Sequence, residues 1–177
     1  YHTHDRQQKN TGVSQKVGNE FGAKLVKGMP EMRGSYKFNN HIIYYCFDDI
    51  RVSNIIRLYE FKSVQRGEVA DWYLNNSILQ TAYYHALAVV NPNKDYITAK
   101  FYPGRTQKLT INKKLRSILI IGDKKYKVVV KKPQEIVKFF ERKAVASLNY
   151  NSAEVWDAQY KHKEFDALKK YIKVIRL

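Results

Sequence analysis

The chain has 177 residues, a length that suits one domain, and its hydrophobic fraction of 44% is enough to build a core. Lys and Arg number 32 against 16 Asp and Glu, a formal charge of +16, so the partner that composition favours is a polyanion, bound by releasing its condensed counterions. The single cysteine, Cys46, excludes an internal disulfide framework and fits a reducing cytoplasmic compartment; no apolar run has transmembrane length, and the polar start shows no signal peptide.

Residues 1–12, YHTHDRQQKNTG, read as a polar arm, in which His2 and His4 are more simply solvated side chains than metal ligands. Val13, Val17, Phe21 and Leu25 recur every four residues and predict a first helix over 13–28, with Gly28 and Pro30 closing it. Gly18 and Gly22 lie inside that helix, where they weaken it or let it approach a neighbour closely. A β-hairpin is expected over 35–49, turning at Asn39-Asn40, and the apolar run Ile42 to Phe47 suits a strand covered on both faces. Asp49 then sits where this strand emerges. His41 and Cys46 read as ordinary strand residues.

Residues 54–63 form the next predicted strand, and a helix of about 68–90 follows Gly67. Asn76, Gln80 and Tyr84 share one face of that helix, while His85 lies off it. Strands are expected at 96–102, 107–111, 114–121 and 124–132, the last two joined through Gly122-Asp123. Their lysines serve either phosphate contacts or the protection of strand edges. Pro133 opens a helix running to Leu148, and the capping-box pattern Asn151-Ser152-Ala153-Glu154 opens a final helix with Trp156, Tyr160, Leu168 and Ile172 in its stripe. The predicted architecture is α/β: a mixed central sheet flanked by helices, in one domain over 13–177.

One stretch carries chemistry. Glu60 and Lys62 are two residues apart on a strand and point the same way, with Cα atoms about 6.6 Å apart. Ile56 and Leu58 share their parity, so a face that begins apolar ends in a carboxylate and an amine. The alternative is a solvated strand face, with Asp48-Asp49 merely beginning a turn. Asp49 and Glu60 are acids of the type that hold Mg²⁺ or Mn²⁺, and the Phe61 backbone carbonyl is a further possible ligand. Lys62 is suited to orienting or deprotonating water, or to neutralising charge in a transition state.

Asp49, then Glu60-Phe61-Lys62, then Gln80-x-x-x-Tyr84 resembles the PD-(D/E)xK nuclease superfamily, and the Gln-x-x-x-Tyr element resembles its RecB-like exonuclease branch. The likeness runs over about residues 13–132. It implies a restriction-endonuclease-like core and a DNA nuclease dependent on Mg²⁺ or Mn²⁺, working in replication, repair or recombination with possible protein partners in such a complex. In the resemblance Asp49 and Glu60 hold the metal, Lys62 serves the water, and Gln80 and Tyr84 position DNA or support the acids. Two departures stand out. Gly22 occupies the place of a histidine found in the first helix of many RecB-like nucleases, for which Glu20 is a possible substitute acid. Cys46 alone cannot ligate the iron–sulfur cluster of some members. The rival reading is a catalytically inactive nucleic-acid-binding or assembly subunit on the same fold. The small, Lys-, Tyr- and Asn-rich chain leans towards a phage or mobile element.

Overall fold

The computed structural model describes residues 20–38, 40–64, 68–90, 97–101, 105–109, 114–148 and 165–177. The expectations for residues 1–19 and 149–164, including His2, His4, Gly18 and the capping box at 151–154, lie outside them. Among the described residues no helix is long and apolar enough to cross a membrane.

The strands are β1 (Met29–Phe38), β2 (His41–Val52), β3 (Ile56–Lys62), β4 (Ile97–Phe101), β5 (Arg105–Leu109), β6 (Leu115–Ile121), β7 (Lys124–Val130) and β8 (Ile172–Arg176). They form one sheet in the order β5-β4-β1-β2-β3-β6-β7-β8. Only β3 and β6 run parallel, because the chain leaves β3, crosses as a helix and returns; the other pairs are antiparallel, so the sheet is mixed. The helices are α1 (20–25), α2 (Asp71–Val90) and α3 (Pro133–Leu148).

The two faces of the sheet are covered differently. On one, Tyr45, Phe47, Ile56, Leu58 and Leu119 pack under α2 and α3 in the main core. On the other, Tyr59, Phe61 and Ile118 meet Phe21, Leu25 and Val26 at and just beyond α1. The alternation of β3 sorts its residues accordingly: Ile56 and Leu58 face α2, Tyr59 and Phe61 face α1. α2 is buried around much of its girth, since it lies between the sheet and α3, and its buried hydroxyls are satisfied internally: Ser77 Oγ donates to the Tyr73 carbonyl at 2.7 Å and Thr81 Oγ1 to the Ser77 carbonyl at 2.8 Å.

Several expectations are corrected. The chain after α1 is already strand at Met29, earlier than the hairpin expected from Ser35, because Met29 and Pro30 pair with Ile50 and Asp49. The expected two-sided cover of β2 fails at its start: Ile42 is 54% and Tyr44 70% exposed, while Tyr45 and Phe47 are buried, so only the α2 side of the hairpin is packed. The final helix does not run to the end. Residues 165–168 are helical and a 3-10 turn spans Lys169–Tyr171, but Ile172–Arg176 is β8, pairing with β7 from Val130↔Ile172 to Tyr126↔Arg176. The β-branched alternation of Ile172, Val174 and the strand edge offered by β7 outweigh a helical stripe there. Gly22 is not a point of close approach either, since a methyl group on it would meet nothing within 4 Å.

Candidate functional site

The site grows from an irregularity between β2 and β3. Their ladder runs from Val52↔Ile56 to Asp49↔Tyr59 and ends there. Beyond it the Phe61 N–H, which would otherwise seek a β2 carbonyl, donates to Asp48 Oδ2 at 2.6 Å. A side chain has replaced the backbone partner, and the strands part around it. In a strand a residue's N–H and C=O leave on the same side, so the Phe61 carbonyl faces the same gap. The register from Pro30↔Asp49 to Met32↔Phe47 places Glu31 of β1 opposite Asp48.

Glu60 and Lys62 lie beside this gap on the α2 face. Lys62 Nζ donates to Glu60 Oε1 at 2.6 Å, with the two side chains 17% and 3% exposed. Glu60 Oε2 is buried and has no hydrogen-bond partner among the described residues. Burial drives the Glu60 carboxyl up to about 7; the Lys62 charge resists this and the Asp48 charge adds to it. For Lys62, burial alone favours the neutral amine, but Glu60 and Asp48 outweigh it and hold the ammonium above its ordinary range. Lys62 is therefore a cation at neutral pH.

α2 roofs the cluster. Gln80 Nε2 donates to Tyr84 Oη at 3.2 Å, so the two residues at helical spacing work as one unit. The Tyr84 ring packs against Tyr45 and Phe47, with ring centres 6.4 and 6.0 Å apart. Burial, and then the nearby Glu60 charge, pushes the Tyr84 hydroxyl up to about 12, so it stays protonated and able to donate. Tyr73, two turns and more before it, donates to the Ser63 carbonyl at 3.2 Å and feels the charges of Lys62 and Glu60. His85 is not part of this group. It hydrogen-bonds Ser117 Oγ at 2.7 Å, and burial pushes its imidazole down to about 4.

The structure thus brings Glu60, Lys62, Gln80 and Tyr84 together, and it puts a different aspartate with them. Asp49 is fully buried on the α1 side. Its carboxylate accepts the backbone N–H groups of Lys27 (3.1 Å) and Gly28 (2.9 Å) and the Arg51 guanidinium (2.8 Å). Arg51 in turn donates to the Leu25 carbonyl at 2.9 Å and lies over the Tyr59 ring at 4.0 Å. Asp49 ties the end of α1 to the sheet and is not brought to Glu60. Glu20 is exposed on α1, which covers the face opposite Glu60, so it is not brought into the cluster either. Sequence reasoning missed Asp48 and Tyr73. The break in alternation that admits Asp48 shows only in the structure: Tyr45, Phe47 and Ile50 all belong to the main core, so the parity of β2 changes between Phe47 and Ile50.

Among the described residues no group of three His, Cys, Asp or Glu side chains is placed to hold a metal ion. The residues that fit a cation are the pair Asp48 and Glu60, with the unpartnered buried Oε2 the observation that favours one. Two carboxylates are enough for Mg²⁺, which keeps several of its waters. Compared with known proteins, the chain matches no family model, no curated protein and no solved structure.

Proposed function

We propose that the protein is a metal-dependent nuclease that hydrolyses phosphodiester bonds in DNA, as its resemblance to the PD-(D/E)xK superfamily implies, with Asp48 beside Glu60 and Lys62 in the place that the resemblance gives to Asp49. The observation that carries this reading is the buried Glu60 carboxylate, one oxygen on Lys62 and the other without a partner among the described residues. An unpaired buried carboxylate oxygen costs stability, and a site that keeps one has a use for it.

Asp48 and Glu60 are the residues to hold Mg²⁺ or Mn²⁺, with the Phe61 carbonyl facing the same gap. Bound there, the ion supplies charge neutralisation on the phosphate and a water of lowered pKa. Lys62, held in its charged form by Glu60 and Asp48, acts as a donor that orients the attacking water and offsets phosphate charge; its raised pKa argues against the alternative role of general base. Tyr84, protonated and braced by Gln80, holds the carboxylate side of the cluster and presents a donor to it.

The test is cleavage of end-labelled linear single-stranded, linear duplex and circular DNA with Mg²⁺ or Mn²⁺, and with EDTA as control. Parent protein should cut, and Glu60→Gln and Lys62→Met should not. A folded parent that binds DNA and leaves every substrate intact would move the reading to the non-catalytic binding or assembly subunit.

A further inference from the structure

The face of the sheet opposite the Glu60 cluster carries an excess of positive charge, of which only Arg51 has a carboxylate partner among the described residues, Asp49. Arg51, Arg57 and Arg116 stand in register across β2, β3 and β6, through the pairs Arg51↔Arg57 and Arg57↔Arg116. Strand alternation puts them on the side of Tyr59 and Ile118, the side that α1 partly covers. On the same side, Ile118↔Lys127 and Ile120↔Lys125 extend the charge into β7, and Val129↔Lys173 extends it into β8. The Lys125 ammonium lies 6.0 Å from the Tyr59 ring centre, which fixes it to this face. From β3 to β8, leaving out the ion-paired Arg51, the charged surface spans about 14 Å at the usual strand spacing.

Little on this face answers the charge. Among the described residues of β3, β6, β7 and β8, no carboxylate shares it, and Asp49 of β2 is taken by Arg51 and the backbone of Lys27 and Gly28. α1 adds the exposed Glu20 but also the exposed Lys24, and Lys27 follows it. Arg57 donates to Ser53 Oγ, a neutral partner. Lys125 and Lys173 are exposed; Arg57, Arg116 and Lys127 are half-buried, their stems covering the sheet. An edge strand needs a lysine or two against aggregation, but positive side chains on one face of four adjacent strands, β3, β6, β7 and β8, exceed that need.

We infer that this face docks the phosphate backbone of a nucleic-acid duplex, as a binding surface separate from the Glu60 cluster. Charge complementarity selects a polyanion. Among the described residues of β3, β6, β7 and β8 this face offers no exposed aromatic ring, Tyr59 being buried, so unpaired bases have no stacking platform there and the contacts fall on phosphates. Ile42 and Tyr44 stand at the other end of β2, where it pairs with β1 and not with β3, and Leu177 is the one large exposed apolar side chain beside the lysines among the described residues, which falls short of the apolar wedge with which a membrane-surface anchor enters lipid.

The inference does not depend on cleavage, because it is tested in EDTA. A fluorescein-labelled DNA duplex, one of its single strands and phosphatidylserine vesicles are titrated with full-length protein over a series of salt concentrations. The variant Arg57→Gln/Arg116→Gln/Lys127→Gln/Lys173→Gln is compared with Lys138→Gln/Arg142→Gln/Lys169→Gln/Lys170→Gln, which removes the same charge from α3 and the 3-10 turn. The first set should weaken duplex binding at least about tenfold and flatten the log–log salt slope by about 3 to 4, whereas the second should change affinity no more than about threefold. The pair Lys127→Gln/Lys173→Gln alone should remove about half of that slope change, so the test survives if the fourfold variant misfolds. Equal losses in both sets, an unchanged duplex affinity, tighter binding of the single strand or preference for vesicles would each overturn the inference.

Discussion

Asp48 and Asp49 are neighbours in β2, yet their carboxylates serve different parts of the fold. Asp48 accepts the Phe61 N–H at 2.6 Å beside Glu60 and Lys62, and Asp49 accepts Arg51 at 2.8 Å with the backbone of Lys27 and Gly28 on the α1 side. The separation gives a sharp prediction. Asp49→Ala leaves the Arg51 guanidinium and two backbone donors without their acceptor, and should cost about 3 kcal/mol in urea unfolding. At a temperature where it is folded it should still cleave DNA. Asp48→Ala should lower the cleavage rate by a hundredfold or more, on the order of what loss of a key electrostatic group costs, with a smaller stability change. Cleavage lost in Asp49→Ala and retained in Asp48→Ala would invert the assignment.

The pH dependence of stability follows from two groups with opposite signs. Glu60 has its folded pKa raised to about 7, so its contribution is fully present below its unfolded value near 4.5 and is lost as pH rises through about 7. His85 has its folded pKa lowered to about 4, so its contribution is present above its unfolded value near 6.5 and is lost as pH falls through about 4. Between about pH 4.5 and 6.5 the two oppose each other. His85→Gln should therefore become relatively more stable on acidification across that window, and Glu60→Gln relatively less stable. Chemical denaturation at several pH values reads the two slopes, and slopes of the same sign in both variants would contradict the account.

Ionisation of Glu60 also governs the proposed metal. A protonated carboxyl is a poor ligand, so Mn²⁺ affinity should fall as pH drops below about 7. Lys62→Met removes the charge that holds the Glu60 value down, so its carboxyl should titrate at still higher pH in that variant. Carboxyl infrared bands measured across a pH series follow the shift directly. A downward shift would mean that the ion pair at 2.6 Å is not what stabilises the charged form.

Two glycines near α1 should respond to alanine in opposite directions. Gly22 is helical with open space where a methyl would go, so Gly22→Ala should stabilise by about 0.5 to 1 kcal/mol. Gly28 passes so close to β2 that a methyl would run into the Ile50 carbonyl, a backbone atom that cannot swing aside. Gly28→Ala should destabilise by about 2 kcal/mol or more and loosen the Asp49 contact with it. Thermal unfolding of both variants checks the pair.

Tyr36 links β1 to α3 through its hydroxyl, which donates to Glu141 Oε1 at 2.9 Å. Tyr36→Phe should cost about 1 to 2 kcal/mol, the usual value for a hydrogen bond to a charged group. Burial, then the Glu141 bond and charge, pushes the phenol up to about 12, so the link is present below about pH 10 and is lost as pH rises through about 12. Difference absorbance of the phenolate, parent against Tyr36→Phe, locates that titration.

The sequence by itself determined the order of the elements as far as α3, since the apolar stripe of α3 and the turn at Gly122, where φ is 58°, are local properties of the chain. It also determined that Glu60 and Lys62 point together and that Gln80 reaches Tyr84, because both pairs follow from the spacing of a single strand or helix. Only the tertiary structure decided which aspartate joins them. A strand read alone alternates without interruption, and by that reading nothing ranks Asp49 below Asp48; the parting of β2 from β3, where a side chain takes the ladder bond of Phe61, is a property of two strands. The C-terminal strand β8 was hidden for the same reason: Ile172 and Leu168 suit a helical stripe, and the open edge of β7 that claims residues 172–176 lies more than forty residues earlier in the chain. The register of Arg51, Arg57 and Arg116 is likewise invisible until three strands are laid side by side.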